Sequence, residues 1–273
     1  MNNLKRIAVI NDLSGSSRCS VTVAMPIIAA KGLQCCIMPT AILSNHTGYE
    51  HYFFDDYTDK MEHFTSNWQK QGLTFDGIYT GFLGSEHQIE VVSDFVDKFK
   101  GKNTKLIVDP VMGDNGKIYT TYTHSMCKAM KKIAAHADVV TPNITEACVL
   151  ADINYTDEFI NEDTAMDICK KIHSLGAKNV VLTGVKQDDT ISNYVYDGTE
   201  FKKYSSLLLP TYFSGTGDVF SSIVASDVTN GKSIFDSVQF ATGYIHKVTE
   251  YSQQAGLTWE EGICIEKFIS DLI

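Results

Sequence analysis

The run Ser214-Gly215-Thr216-Gly217-Asp218 puts two glycines, a hydroxyl and a carboxylate next to one another, with apolar Phe220, Ile223 and Val224 following at helical spacing. Glycines let a backbone approach an anion closely, and the free N–H groups of a helix start attract one. The segment thus offers a phosphate cradle with an aspartate at a helix N-terminus, where Asp218 could also be a simple cap. A second cluster, Asp109-Pro110-Val111-Met112-Gly113-Asp114, brackets a turn with two carboxylates. Mg²⁺ takes oxygen ligands and keeps several waters, so such carboxylates suit it beside a phosphate; alone they would be turn residues. In Thr141-Pro142-Asn143-Ile144-Thr145-Glu146, Asn143 and Glu146 stand three apart and share a helix face, which is also the spacing of a capping pair. No G-x-x-x-x-G-K-[ST] run occurs and no strand is followed by G-x-G-x-x-G, so any phosphate site is neither a P-loop nor a dinucleotide fold.

Elements that could position these groups are legible around them. Short apolar runs at residues 6 to 10, 36 to 42, 76 to 80, 105 to 109, 138 to 141 and 179 to 183 suit strands buried on both faces of a parallel sheet. Between them lie segments of helical period; Ile89, Val92, Val96 and Phe99 line one face. Strand and helix alternate, which predicts βαβ crossovers. Residues 17 to 31 read as a first crossover helix containing Pro26, residues 191 to 206 as a hairpin around Asp197-Gly198, and residues 259 to 271 as a last helix. Ligands of open α/β sheets bind beyond the carboxyl ends of the strands. The polar clusters NDLSGSS, TGFLGS, DPVMGD, TPNITE and Thr183-Gly184 each follow a predicted strand, so separate stretches of chain meet at one rim.

With 273 residues, 44% of them hydrophobic, and no repeat or Pro/Ser-rich linker, the chain reads as one α/β domain spanning 1–273. A formal net charge of -10 opposes attraction to nucleic acid or anionic membrane. The apolar run after Lys5 and Arg6 is too short for a signal segment, and no stretch approaches the length of a membrane span, so a cytoplasmic protein is expected. Seven scattered cysteines without a C-x-x-C pair read as reduced thiols.

In sequence order, DPVMGD, VVTPNITE, the TG of VVLTG and SGTGDVF, with matches spanning residues 7 to 224, resemble the ribokinase superfamily and within it the pyridoxal kinases. The resemblance implies an α/β ribokinase-like three-layer sandwich, a mainly parallel central sheet flanked by helices, ATP as co-substrate, Mg²⁺, and a homodimer. It makes Asp218 the catalytic base and the backbone of Gly215, Thr216 and Gly217 the anion hole. It associates Asp109, Asp114 and Glu146 with Mg²⁺ and phosphates, and Asn143, Thr183 and Gly184 with the nucleotide. Ser44-Asn45-His46-Thr47 resembles the LSNHT segment that contacts the pyridine ring, which makes Asn45, His46 and Thr47 substrate contacts. Two positions depart from the pattern: Asp12 stands where many pyridoxal kinases have serine, and Phe82 where tyrosine is common. An aspartate near the ring would favour an amino substituent through a charge-assisted hydrogen bond. The expected reaction is transfer of the γ-phosphoryl group of ATP to the hydroxymethyl group of a B6 vitamer. Hydroxymethylpyrimidine (phosphate) kinases share DPV and TPNxxE but typically carry GTGC and a GGAG-like early loop, against GTGD and SGSSRCS here. A sugar or nucleoside kinase would bring a larger lid and an early GG motif, and a non-catalytic vitamer-binding protein would have lost the base or the GTG loop.

Overall fold

The computed structural model describes residues 4–155 and 160–273. Its strands are β1 (Arg6–Ser14), β2 (Gln34–Leu43), β3 (Phe54–Asp56), β4 (Gly77–Thr80), β5 (Lys105–Val108), β6 (Gly113–Asp114), β7 (Lys117–Ile118), β8 (Val139–Val140), β9 (Val180–Gln187), β10 (Thr190–Tyr196) and β11 (Phe201–Leu207). Its helices are α1 (Ser20–Ala30), α2 (Thr58–Lys70), α3 (Glu86–Phe99), α4 (His124–Ala135), α5 (Ile144–Ala151), α6 (Glu162–Ser174), α7 (Thr216–Asn230) and α8 (Ile234–Gln254). The central sheet runs β11-β10-β9-β8-β5-β4-β1-β2-β3. It is parallel from β9 to β2 and antiparallel at β3, β10 and β11, while β6 and β7 form a separate small hairpin. This is the mainly parallel, helix-flanked sheet that the sequence predicts.

Successive strand residues point to opposite faces, and the parity of the chain sorts the two cores. Ala8, Ile10, Ile78, Leu106, Val108, Val140 and Leu182 face the layer built from α2 to α6. Ile7, Val9, Tyr79, Ile107, Val139 and Val181 face α1, α7 and α8. From β1 the chain turns to β2 on one side, then returns past β1 to β4 and continues the other way. The topological switch point, where open α/β sheets bind ligands, therefore lies between the carboxyl ends of β1 and β4.

Three sequence expectations change. β1 does not stop at Ile10 but runs to Ser14, so Asn11 and Asp12 are strand residues, with a register slip against β2 between Asn11 and Leu13. β9 likewise runs on past the predicted end at Thr183 to Gln187, so Gly184 lies inside the strand rather than after it. The last helix is absent: residues 259 to 268 form turns and extended chain, followed by a single 3₁₀ turn at Ile269–Leu272. Gly262 adopts φ +76, which breaks a helix, and the Ile263 N–H donates to the Ser214 carbonyl rather than to its own segment. The segment still packs on the body through buried Ile263, Ile265 and Leu272. Helix α1 runs through Pro26, and the predicted hairpin forms with Tyr196 opposite Phe201 and Asp197 to Glu200 as its loop.

Candidate active site

The SGTGD run opens α7 at the switch point. Gly215 is the N-cap, with φ +82, and a side chain there would collide with the Arg18 carbonyl oxygen, so only glycine fits. Thr216, Gly217 and Asp218 then occupy the first turn, whose N–H groups have no partner within the helix. Gly217 is exposed, and a Cβ added to it would meet nothing within 4 Å, so the approach to these amides is open. The Thr216 hydroxyl turns back to the Phe213 carbonyl at 3.3 Å.

Asp218 is half-buried, and the strand β1 holds it from below. Asn11 Nδ2 donates to Asp218 Oδ1 at 3.3 Å, while Asn11 Oδ1 accepts the N–H groups of Asp12 and Phe82, both at 2.9 Å. Asn11 is 0% exposed and packs on Gly81, so one side chain ties β1, the turn after β4 and α7 together. Sequence reading singled out Asp12 and passed over Asn11. The available signal was parity: Asn11 continues the Ile7 and Val9 face that α7 covers. Burial raises the Asp218 carboxyl to about 6, with the Asp12 charge adding to it, against the lowering effects of the Ser20 N–H and Asn11.

Asp109 follows β5 on the same face and is 8% exposed. Burial, with Asp218 nearby, pushes its carboxyl up to about 8, opposed by hydrogen bonds from Ser221 and Thr141. Those two hydroxyls also bond each other at 3.0 Å, linking β8 to α7. Glu146 is 4% exposed and forms a capping box with Asn143: Glu146 N–H donates to Asn143 Oδ1 at 3.0 Å, and Asn143 N–H to Glu146 Oε2 at 2.9 Å. Its other oxygen accepts the Met112 N–H at 3.1 Å. Burial and then the Asp109 charge hold the Glu146 carboxyl well above the ordinary range. The capping pair weighed from sequence is therefore real, and it aims a buried carboxylate at the DPVMGD turn.

Asp109 and Glu146 fit a hard cation, because both carboxylates are buried and the Asp109 charge raises the proton affinity of Glu146, so a bound cation would relieve both. Among the described residues no cluster of acidic, histidine or cysteine side chains forms a ready-made metal cage. Mg²⁺ keeps waters and leans on substrate phosphates, so two protein carboxylates are a sufficient set of direct or water-mediated ligands for it. Asp114 is not part of the buried pair: it is exposed at the β6–β7 hairpin and bonds Asn115. Asn143 Nδ2 reaches the Gly113 carbonyl at 2.8 Å, and Thr183 pairs with Asn143 across a parallel bridge, its hydroxyl on the Pro142 carbonyl at 3.2 Å. Gly184, at φ +69, is exposed and donates its N–H to Asn193 Oδ1.

On the other side of Asp218, Asp12 is 7% exposed and accepts the hydroxyls of Ser14 at 2.7 Å and Ser20 at 2.6 Å. Burial raises its proton affinity. Both ring nitrogens of His46 are occupied: Nδ1 accepts the Gly48 N–H at 3.0 Å, and Nε2 lies 2.9 Å from the Glu260 carbonyl. The ring also packs edge-on to Trp259 and beside Tyr49. Asn45 bonds Ser44 and the His51 carbonyl, Thr47 is exposed, and Phe82 is half-buried at the switch point. Trp259 and its neighbours, which the sequence suggested as helix, instead strap the 46–48 loop to Ser214 at the start of the SGTGD turn.

The family model described as phosphomethylpyrimidine kinase matches residues 26–261, and the chain belongs to that family. A Bacteroides thetaiotaomicron protein provisionally named a phosphomethylpyrimidine kinase is 37% identical, with a TM-score of 0.96 over 99% of this chain and 94% of that one. A second crystal form of it, with pyridoxal, is 36% identical with a TM-score of 0.92, covering 98% and 96%. A Bacillus subtilis pyridoxine kinase is 30% identical over 195 residues, which span 68% of this chain and 70% of the relative.

Proposed function

We propose that this member of the phosphomethylpyrimidine kinase family phosphorylates the hydroxymethyl group of a B6 vitamer with ATP. The observation that carries the reading is Asp218: a carboxylate raised to about 6, set in the first turn of α7 beside an open, glycine-lined set of amides. A general base works best when its pKa lies near the working pH and it can reach the proton it takes. In this reading Asp218 accepts the proton of the acceptor hydroxyl as that oxygen attacks the γ-phosphorus, and the bond from that phosphorus to the β–γ bridging oxygen breaks with ADP as the leaving group. The N–H groups of Gly215, Thr216 and Gly217 stabilise charge on the transferring phosphoryl group. Asp109 and Glu146 would hold Mg²⁺, which when bound neutralises phosphate charge. Asn143, Thr183 and Gly184 lie on the nucleotide side, with exposed Asp114 at its hairpin edge. Asn45, His46, Thr47 and Phe82 border the acceptor, with His46 shaping the loop through its backbone bonds rather than offering a free ring nitrogen.

The pyridoxal in the crystal form of the 36%-identical protein supports the vitamer, as does the pyridoxine kinase name of the Bacillus relative. Hydroxymethylpyrimidine is the second reading, supported by the description of the matching family. Both acceptors present a hydroxymethyl group on a nitrogen heteroaromatic ring, so the same base and amides serve either. The resemblance also brings a homodimer into the proposal, which sedimentation velocity tests directly. The deciding experiment measures ADP release from Mg-ATP with pyridoxal, pyridoxamine, pyridoxine and hydroxymethylpyrimidine in parallel, with Asp218→Ala as control. Vitamer-dependent ADP release that disappears in the control is the expected result. Turnover of the pyrimidine alone would replace this reading with the second, and turnover of none would refute both.

A further inference from the structure

The loop between β1 and α1, residues 15 to 19, holds the chain that leads into the 46–48 loop. The N–H groups of Gly15 and Ser16 donate to the carbonyls of Leu43 and Ser44 at 2.9 and 2.7 Å, and Ser17 Oγ accepts the His46 N–H at 3.0 Å. Arg18, next in the chain, meets two other parts of the molecule. A Cβ on Gly215 would collide with the Arg18 carbonyl oxygen, and one on Gly262 would lie 3.1 Å from that oxygen and 2.9 Å from Arg18 Cβ. Gly215 belongs to the SGTGD turn and Gly262 to the strap, so the Arg18 backbone is wedged between the two.

The side chain then reaches along the strap. Arg18 Nε donates to Glu266 Oε1 at 2.6 Å, and Nη1 donates to the Glu261 carbonyl at 2.9 Å. One planar guanidinium thus ties a side chain and a backbone group of the strap at once, which the point charge of a lysine cannot reproduce. Packing does not fill this seam: a cavity of about 310 Å³ is lined by Arg18, Thr22, Pro26, Ile265, Glu266 and Ile269. The strap in turn holds both walls of the acceptor side. The Trp259 carbonyl accepts the Ser214 N–H at 3.1 Å, the Ile263 N–H donates to the Ser214 carbonyl at 3.1 Å, and the Glu260 carbonyl meets His46 Nε2 at 2.9 Å. With side chains 32% and 55% exposed, the Arg18–Glu266 pair adds little to folding stability. Its effect is on where the strap sits.

We propose that Arg18 is a positioning residue that clamps the 259–266 strap and so keeps the 46–48 loop in register with the SGTGD turn. The inference rests on the proposed reading in which that loop borders the acceptor and that turn the transferring phosphoryl group. Asn143 and Thr183, on the nucleotide side, come from other elements, so the clamp acts on the acceptor.

The test compares steady-state kinetics of wild type, Arg18→Ala, His46→Ala and the double variant. Alongside it, Trp259 emission is recorded without substrate for wild type and Arg18→Ala in a Trp68→Phe background, since Trp259 lies in the strap and packs edge-on to His46. Arg18→Ala is expected to lower kcat/KM for the acceptor about tenfold, with KM for ATP within about twofold and Tm within about 3 °C of wild type. Trp259 emission should shift to longer wavelength as the strap loosens. Both substitutions release the same strap, so the double variant should fall within about threefold of the more impaired single variant rather than at the product of the two losses. An arginine needed only for structure would lower Tm and raise both KM values together. Acceptor kcat/KM within about twofold of wild type in Arg18→Ala, an unchanged Trp259 emission, or losses that multiply in the double variant would each overturn the proposal. If Arg18→Ala does not fold, Glu266→Gln takes its place: it weakens the clamp from the strap side and should show the same pattern at smaller size. A wild type that turns over no hydroxymethyl acceptor rejects the kinase reading and the positioning role with it, whereas an active wild type beside an equally active Arg18→Ala rejects the role of Arg18 alone.

Discussion

Replacing Asp109 by asparagine should stabilise the ligand-free protein at alkaline pH while disabling it. The Asp109 carboxyl is raised from 3.8 to about 8 by burial and by Asp218, so between those values the folded state holds a proton that the unfolded chain releases. Stability contributed by this proton is complete below about pH 4, falls as pH rises, and is gone above about pH 8. At ~1.4 kcal/mol per pH unit the gap sets a ceiling of roughly 6 kcal/mol, and relaxation around the charge reduces what is realised. The substituted amide carries no charge and can still accept from Ser221 or Thr141. Urea unfolding of both proteins at pH 6 and pH 8.5 without Mg²⁺ should show wild type losing at least ~1 kcal/mol over that interval relative to Asp109→Asn. Adding Mg²⁺ and ATP at pH 8.5 should recover stability in wild type and much less in the variant. Equal pH slopes in the two proteins would mean that Asp109 is not the proton-binding group, and would refute the electrostatic account of the site.

Other perturbations separate the remaining parts. Vitamer turnover should rise with pH through about 6 as Asp218 ionises, and a kcat/KM profile flat from pH 5 to 8 would deny it the base role. Gly215→Ala puts a Cβ against the Arg18 carbonyl at φ +82 and should lower activity far more than Gly217→Ala, whose Cβ meets nothing; equal activities would show that the loop tolerates another conformation. Glu146→Gln removes charge and replaces one of two accepting oxygens by an NH2 that faces a backbone N–H, so the Mg²⁺ concentration for half-maximal rate should rise about tenfold and unfolding stability should fall by about 1–3 kcal/mol. His46→Ala cuts the tie from the 46–48 loop to the Glu260 carbonyl and should raise the KM of the acceptor more than that of ATP, which parallel titrations of the two substrates would check.

What the sequence made legible follows from period and chemistry. Buried apolar runs disclosed the parallel strands, and the glycines of SGTGD disclosed a turn that only glycine can make. Parity, carried one step past each apolar run, also contains the site: Asn11, Asp109 and Thr141 extend the faces of Val9, Ile107 and Val139, all covered by α1, α7 and α8. Asn11 was passed over because its value lies in three partners from three elements, none adjacent in sequence. The strap at Trp259 was illegible for the same reason: its carbonyl accepts from Ser214, and the neighbouring Glu260 carbonyl meets His46, 214 residues away. Helical period misled there, because Gly262 and the consecutive buried residues Ile263, Cys264 and Ile265 follow the needs of a distant surface rather than of a helix face.

The charge arrangement separates structural from chemical carboxylates within this one chain. Buried Asp138 is met by Lys178 at 2.8 Å and Lys100 at 3.6 Å, and buried Asp227 by Lys31 and Lys232, both at 3.1 Å. Each is neutralised by lysines of the protein, as buried charge in a folded domain requires. Asp109, Glu146 and Asp218 are treated differently: the groups that act on them most are other carboxylates, hydroxyls and amides, and neither lysine nor arginine is among them. A fold able to place two lysines on a buried aspartate, and which does so twice, leaves these acids to be compensated by protons or by a bound cation. The cost in stability is the counterpart of keeping their oxygens available for ligand, and it is the reason Asp109→Asn should gain stability where Asp138→Asn, which strands two lysines, should lose it.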